Sequence, residues 1–267
     1  MDSSLIILYT PILIMALFGV PHGALDAAIL RARLPASHQI AALAGYVGMA
    51  VSTVLAWYFA PTAAMLLFLA LSVLHFGRSD IADQAPPLPL AQVVARGGLW
   101  AIVLPLLHWS SVAPMFSELN TDPATIKYAL TLAFGGWLLA CAALVYLALR
   151  RRTHAAVAPL AIGLILIYCL PPLWSLTAYF CAWHARRHTQ QVLHTLPDAQ
   201  GARALGRRIT ALTLLVSLTI GFMMVSSVSL DTATIRLFFV GIFALTVPHM
   251  VLIDYYLPRY YPLGAQT

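Results

Sequence analysis

The sequence predicts an all-α fold, a polytopic bundle of about eight or nine transmembrane helices that forms one domain over residues 1–267. Hydrophobic residues make up 61% of the chain and charged residues only 9%, whereas soluble domains carry about 25% charged residues. Apolar runs recur along the whole chain, and a run of about 20 residues spans a bilayer as a helix. The net charge of +6 lies in the short segments between these runs, so we expect no nucleic-acid-binding surface.

The apolar runs place nine candidate membrane helices. They cover approximately residues 5–28, 40–60, 62–77, 91–115, 126–149, 156–170, 172–188, 209–229 and 233–254. The third, sixth and seventh are short for a span of about 20 residues. Pro171 and Pro172 separate the sixth from the seventh, because proline lacks an amide donor and clashes with the preceding turn.

The arginine distribution predicts the orientation in the membrane. Alternating the loops between two sides gives one side Arg31, Arg33, Arg78, Arg150, Arg151, Arg152, Arg186, Arg187, Arg203, Arg207, Arg208 and Arg259. The other side receives little beyond Lys127 and Arg236. Basic residues accumulate in cytoplasmic loops, so the sequence predicts a multi-pass protein of the cell inner membrane with its N-terminus outside.

Five histidines fall at a similar depth, near the cytoplasmic ends of four predicted helices. They are His22, His75, His184, His188 and His249. The i, i+4 spacing of His184 and His188 places both imidazoles on one helical face. Polar residues at membrane depth are costly and commonly functional. We therefore predict that these histidines share one metal site, with His249 either a fifth ligand or a residue that orients a ligand.

Three carboxylates lie at the same predicted level: Asp26, Asp80 and Asp254. A metal-bound histidine usually donates its second ring nitrogen to a carboxylate or a carbonyl, so we expect these three to orient the imidazoles. The remaining histidines are predicted to lie outside the site, His108 near the opposite face and His38, His154 and His194 in loops.

The residue types favour iron over the other metals that imidazole binds. Imidazole suits iron, copper, zinc and nickel alike. The three cysteines have no CxxC spacing, which disfavours iron–sulfur clusters and most structural zinc sites. The single glutamate, Glu118, is not part of a His-Glu-x-x-His motif, which disfavours a zinc hydrolase. An all-histidine iron(II) site leaves room for dioxygen, and a long apolar lipid such as a carotenoid, sterol or fatty chain fits a site within the bilayer.

Four short motifs carry a resemblance to a known family. They are Pro21-His22-Gly23-Ala24-Leu25-Asp26, His75-Phe76-Gly77 followed by Ser79-Asp80, Trp183-His184 with His188, and Pro248-His249. In this order, within a polytopic chain of this size, they resemble the Brp/Blh family, bacteriorhodopsin-related membrane proteins that cleave β-carotene at its central 15,15′ double bond to two molecules of retinal. The resemblance extends from the first predicted helix to the last.

The resemblance implies a β-carotene 15,15′-dioxygenase that uses Fe(2+) and consumes O2 as co-substrate. It implies that His22, His75, His184 and His188 are the catalytic iron ligands, and His249 matches a further family histidine. Aromatic residues near these positions in the sequence are expected to line the substrate tunnel: Phe18, Phe76, Tyr179, Phe180 and Trp183. The expected partners are β-carotene and membrane lipid.

Three alternatives stay open at this point. Another non-haem iron enzyme, a lipid hydroxylase or desaturase, usually has a di-iron site with more histidines than the five found here. A haem-binding electron carrier or a transporter needs histidines that face each other across a helical bundle. A factor that assembles retinal proteins without chemistry does not need the histidines. The sequence leaves the oligomeric state open.

Overall fold

The computed structural model describes residues 5–81, 89–151 and 157–256. These residues are almost entirely helical and include no strand, which confirms the all-α prediction. Seven of the described helices are long and apolar enough to cross a membrane, so the chain is a polytopic helical membrane protein. Arg152, His154 and Arg259, which entered the predictions above, lie outside the described residues.

The candidate spans and the shorter helices between them are numbered together in chain order. The helices are α1 (Ile6–Arg33), α2 (Ala36–Phe59), α3 (Pro61–Ser79), α4 (Pro89–Leu107), α5 (Trp109–Glu118), α6 (Pro123–Arg151), α7 (Ala158–Cys169), α8 (Pro172–Tyr179), α9 (Arg186–Thr195), α10 (Ala199–Val225) and α11 (Leu230–Tyr255). The seven spans are α1 to α4, α6, α10 and α11. A π-helical segment, Phe180–Ala185, lies between α8 and α9.

Among the described residues, seven helices have the length and hydropathy of a span, slightly fewer than the eight or nine predicted. The predicted sixth helix is α7, whose 12 residues are fewer than the about 20 that a span needs. The predicted seventh covers α8 and the π-helical segment and leads into α9, which is polar. A short apolar run is equally typical of a helix packed inside the protein, so hydropathy alone does not distinguish the two for α7. The predicted fourth helix is interrupted at His108, between α4 and α5.

The chain forms two compact units: the first comprises Met1–Phe59 and Phe180–Thr267, and the second comprises Ala60–Tyr179. The first unit contains α1, α2, α9, α10 and α11. The second contains α3 to α8. The expectation of one domain over the whole chain stays a prediction.

A buried hydrophobic cluster holds four helices of the first unit together. Its members are Leu25, Ala28, Ile29, Leu30, Val192, Leu196, Ala202 and Leu252. Three of them follow predicted site histidines within one helical turn: Leu25 after His22, Val192 after His188 and Leu252 after His249. Residues three or four apart lie on one side of a helix, so the packing of this cluster also fixes where the three imidazoles lie.

Two glycines allow α3 and α4 of the second unit to cross closely. A Cβ atom at Gly77 would overlap the backbone of Val93, and one at Gly97 would overlap the carbonyl of Val73. The α4 helix also packs on α6, where the Trp137 indole Nε1 donates a 2.9 Å hydrogen bond to the Ala95 carbonyl. Small residues at crossings bring helix backbones together in membranes, where packing rather than hydrophobicity drives association.

Polar side chains satisfy backbone groups at helix ends in the second unit. Asp122 accepts hydrogen bonds of 3.1 Å from the amides of Ala124 and Thr125 at the start of α6, and the hydrogen bonds from Thr125 hold the pKa of this carboxyl below its usual range. The His108 Nε2 donates a 2.7 Å hydrogen bond to the Ile167 carbonyl of α7. His108 therefore has a structural role at the break between α4 and α5.

Candidate metal centre

Four of the predicted site histidines belong to the first unit, and their rings lie side by side. The ring centroid of His22 is 5.4 Å from that of His184, 5.6 Å from that of His188 and 5.2 Å from that of His249. The rings of His188 and His249 are 5.1 Å apart. All four side chains are buried. The convergence predicted for these four histidines is therefore present within one compact unit.

His22 lies on a tightened turn of α1. Residues Val20–Leu25 form a 3₁₀ segment, and Pro21 lacks the amide that a regular α-helical turn would use. The segment approaches the π-helical segment closely, because a Cβ atom at Gly19 would overlap the ring of Phe180. The His22 Nδ1 donates to the Gly19 carbonyl, which leaves Nε2, on the far edge of the ring, as the nitrogen to bind a metal.

His184 and His188 come from the π-helical segment and the first turn of α9. Their rings both approach His22, as the i, i+4 spacing predicts. The ring of Phe180 stacks on that of His184 with centroids 5.6 Å apart and an interplanar angle of 13°. Single π-helical turns are frequent at functional sites, since the extra residue re-aims the side chains around it.

His249 is held by a carboxylate that the sequence placed 223 residues away. Its Nδ1 lies 3.0 Å from Oδ1 and 2.9 Å from Oδ2 of Asp26, and both side chains are buried. The hydroxyl of Tyr46 on α2 donates a 2.8 Å hydrogen bond to the same Oδ2. Asp26 therefore contacts the imidazole of His249, and its role of orienting a metal ligand stays a prediction.

Sequence reasoning did not identify Tyr46. An aromatic residue inside an apolar run is ordinarily a lipid-facing or packing residue. The position of Tyr46 in the middle of α2 could have indicated its role. Tyrosines of membrane helices are enriched at the two membrane interfaces, so a tyrosine between them is unusual. A mid-helix phenol needs a polar partner, and here that partner is Asp26.

The second unit holds His75, Asp80 and Tyr179 of the predicted site, all buried. The Tyr179 hydroxyl donates a 2.9 Å hydrogen bond to the Asp80 carboxylate, and the Arg96 guanidinium donates to the Asp80 carbonyl. Tyr179 also stacks on Trp100, with ring centroids 4.1 Å apart. Asp80 is therefore engaged by Tyr179 within this unit, and the role of His75 as an iron ligand stays a prediction.

The other residues expected near the site differ in exposure. Phe18 is 66% exposed and Trp183 is 49% exposed, so both side chains lie at least partly on the protein surface. Phe180 is half-buried and contacts His22 edge-on at 5.2 Å. Asp254 is half-buried at the end of α11. The tunnel-lining role of the aromatics and the orienting role of Asp254 stay predictions.

The first-unit cluster has the donor set that an iron(II) ion would need. Imidazole nitrogens are ligands for iron, copper, zinc and nickel. His22 and His249 offer ring nitrogens within 4.8 Å of one another, a separation compatible with two ligands of one ion. Asp26 beside His249 Nδ1 reproduces the carboxylate–histidine pairing that is typical of metal sites. The residues therefore fit a histidine-bound metal.

Similarity to known proteins identifies the family of the chain. A family model described as "Beta-carotene 15,15'-dioxygenase" matches residues 13–256. The chain is 34% identical over 251 residues to "Beta-carotene 15,15'-dioxygenase" of an uncultured marine bacterium, covering 91% of each chain. It is 28% identical over 214 residues to "Probable beta-carotene 15,15'-dioxygenase Blh" of Halobacterium salinarum, covering 69% of this chain and 62% of the other. No solved structure matches. The chain belongs to the β-carotene 15,15′-dioxygenase family of enzymes.

Proposed function

We propose that this enzyme cleaves β-carotene at its central 15,15′ double bond into two molecules of all-trans-retinal, using iron(II) and dioxygen. The proposal is supported by the names of its relatives. The observation that carries it is the cluster of four buried histidine rings in the first unit. These rings supply imidazole nitrogens, which are the ligands that an oxygen-activating iron site in this chain would use.

The overall reaction balances without a reductant. One carbon–carbon double bond is broken, and the two atoms of dioxygen become the two aldehyde oxygens. Bound iron(II) supplies the oxygen chemistry of this cleavage. The reaction therefore requires from the protein only a metal site, a dry cavity and a fixed position of the polyene, which decides where the chain is cut.

The histidines hold the metal in this proposal. His22, His184 and His188 contribute ligands from the first unit, and His75 is the fourth ligand that the family motifs imply. The buried rings exclude water from the reacting centre, because each is less than 10% exposed. The Phe180 ring, stacked on His184, limits the rotation of that imidazole and so keeps its ligand nitrogen aimed in one direction.

The proposed location is the cell inner membrane, with the N-terminus outside and the metal site near the cytoplasmic side. The arginine distribution supports this orientation. β-Carotene is an apolar molecule that resides in the bilayer, so it would enter from the lipid rather than from water. Phe18 lies one helical turn before His22, Trp183 directly precedes His184, and both are exposed. A polyene dissolved in the lipid would therefore first contact the protein near these two residues.

Product analysis tests the proposed reaction. We expect a β-carotene-producing host that expresses this chain to lose colour and to accumulate a C20 aldehyde that co-elutes with retinal. In membranes, an iron(II) chelator should stop product formation and added iron(II) should restore it. The control variant His38→Ala removes an exposed imidazole at the start of α2 and should leave product formation unchanged.

The products also discriminate the alternatives. A hydroxylated or desaturated C40 product would replace the cleavage proposal with a lipid hydroxylase or desaturase. A haem absorption spectrum would indicate an electron carrier. Unchanged β-carotene with iron-loaded protein would contradict the proposed function.

A further inference from the structure

The first unit contains a chain of three polar side chains contributed by three helices. Tyr46 on α2 donates from its hydroxyl to Asp26 on α1, and Asp26 accepts from the Nδ1 of His249 on α11. Each heavy-atom distance is 2.8–3.0 Å. Asp26 is 3% exposed and His249 is 4% exposed. Polar groups buried at membrane depth are retained when they serve a site.

The contact with Asp26 determines which nitrogen of His249 carries its proton. A carboxylate only accepts hydrogen bonds, so Nδ1 is the protonated nitrogen and Nε2 keeps its lone pair in the neutral ring. The ring centroid of His249 lies 5.2 Å from that of His22 and 5.1 Å from that of His188. His249 is therefore in the correct tautomer to add an Nε2 ligand beside these two rings.

Tyr46 determines how Asp26 is held. Its hydroxyl binds Oδ2, the oxygen that also lies 2.9 Å from His249 Nδ1. A carboxylate in an apolar environment loses a large part of its stabilisation when a donor is removed. Without the Tyr46 hydroxyl, the carboxylate would be free to rotate about its own bond and would orient the imidazole less strictly.

We propose that Tyr46 is a positioning residue that acts through Asp26 to present Nε2 of His249 as a metal ligand. This inference rests on the proposed iron site but not on the identity of the substrate. It gives His249 the role of a fifth ligand, which the sequence had left open between ligand and orienting residue. It also gives the largely lipid-exposed α2 helix a function in the site.

Cobalt(II) binding to the purified full-length protein in detergent is the direct test, because bound cobalt(II) reports its ligands by visible absorption and needs no turnover. We expect Asp26→Asn to weaken cobalt(II) binding about 10–100-fold, the usual effect of removing a partner of a ligating histidine. Tyr46→Phe, which acts on His249 only through Asp26, should weaken it in the same direction by a smaller factor. Both variants should also change the ligand-field bands. Tyr58→Phe is the matched control, since it removes the hydroxyl of a residue on the same helix that is 79% exposed, and it should change neither quantity.

A double-variant cycle separates positioning from general support of the fold. If Tyr46 acts only through Asp26, Tyr46→Phe should weaken binding no further in an Asp26→Asn background. Independent, multiplicative losses of affinity would overturn the inference. Cobalt(II) affinity and spectra of Tyr46→Phe that match Tyr58→Phe would also overturn it. Should Tyr46→Phe fail to accumulate, unchanged affinity in Asp26→Asn alone would be decisive against it.

The outcomes distinguish this inference from the proposed function. Wild-type protein that makes retinal while Tyr46→Phe binds cobalt(II) normally would refute the role of Tyr46 and leave the function standing. Weakened cobalt(II) binding in the variants of a protein that makes no retinal would support the role and refute the function. Wild-type protein that binds no cobalt(II) would overturn the inference directly.

Discussion

Alanine at position 184 should decrease retinal formation by at least about 100-fold. Removal of a residue that only orients a metal ligand typically costs 10–100-fold, and His184 is proposed to be a ligand itself. Its side chain is 2% exposed and lies 5.4 Å, ring to ring, from His22. Product formation in membranes with saturating β-carotene and iron(II), together with the iron content of the purified variant, measures both parts of this expectation.

A control variant must separate ligand loss from damage to the fold, because His184→Ala also leaves a cavity. Val112→Ala truncates a buried side chain on α5, outside the cluster that positions the imidazoles, and removes no ligand nitrogen. It should lower the free energy of unfolding by about 0.5–3 kcal/mol while retaining its iron. The role of His184 would be refuted if its alanine variant kept more than about a tenth of the activity.

The sequence predicted the membrane fold and most of the histidine cluster for identifiable physical reasons. Hydropathy marks long spans such as α6 and α10 directly, because only a helix satisfies its own backbone in lipid. The alternation of loops placed the histidines at one depth. The i, i+4 rule placed His184 and His188 on one face of their helix. Each inference depends on local pattern, which a sequence displays.

Non-local contacts were not predictable in this way. Asp26 was expected to orient a neighbouring imidazole, but nothing local indicates that its partner is His249, 223 residues later. The π-helical segment Phe180–Ala185 was also missed, since a single extra residue in a turn hardly changes an apolar pattern. The hydrogen bond from His108, at the break between α4 and α5, to the carbonyl of Ile167 joins residues 59 positions apart.

Irregular turns are a shared feature of the segments that carry the first-unit cluster. His22 lies in a 3₁₀ segment and His184 in a π-helical one, and the π-helical segment Val251–Tyr256 begins two residues after His249. A regular α-helix repeats every 3.6 residues and presents side chains along a fixed stripe. Tightening or widening one turn rotates that stripe locally. We infer that these turns let three helices aim imidazoles at neighbouring positions without changing the direction of the helices.

Alanine at position 97 should destabilise the protein more than any other glycine-to-alanine change named here. The added Cβ would overlap the Val73 carbonyl and the Gly77 amide nitrogen. Both are backbone atoms of α3, so no side-chain rotation can make room, and the two helices must separate. Overpacking ordinarily costs about 1–3 kcal/mol, and we expect a value at or above the upper end because backbone must move.

Gly135→Ala is the matched control, because Gly135 also lies within a membrane-length helix but a Cβ atom added there would meet no neighbouring atom within 4 Å. Alanine is favoured over glycine in a helix by about 0.8–1.0 kcal/mol, so this variant should be as stable as the parent or more so. Thermal unfolding in detergent, followed by loss of monodisperse protein, compares the two. Equal melting temperatures would show that α3 and α4 do not cross at Gly97. A separation of several degrees, with Gly97→Ala lower, is the result that a backbone-to-backbone contact requires.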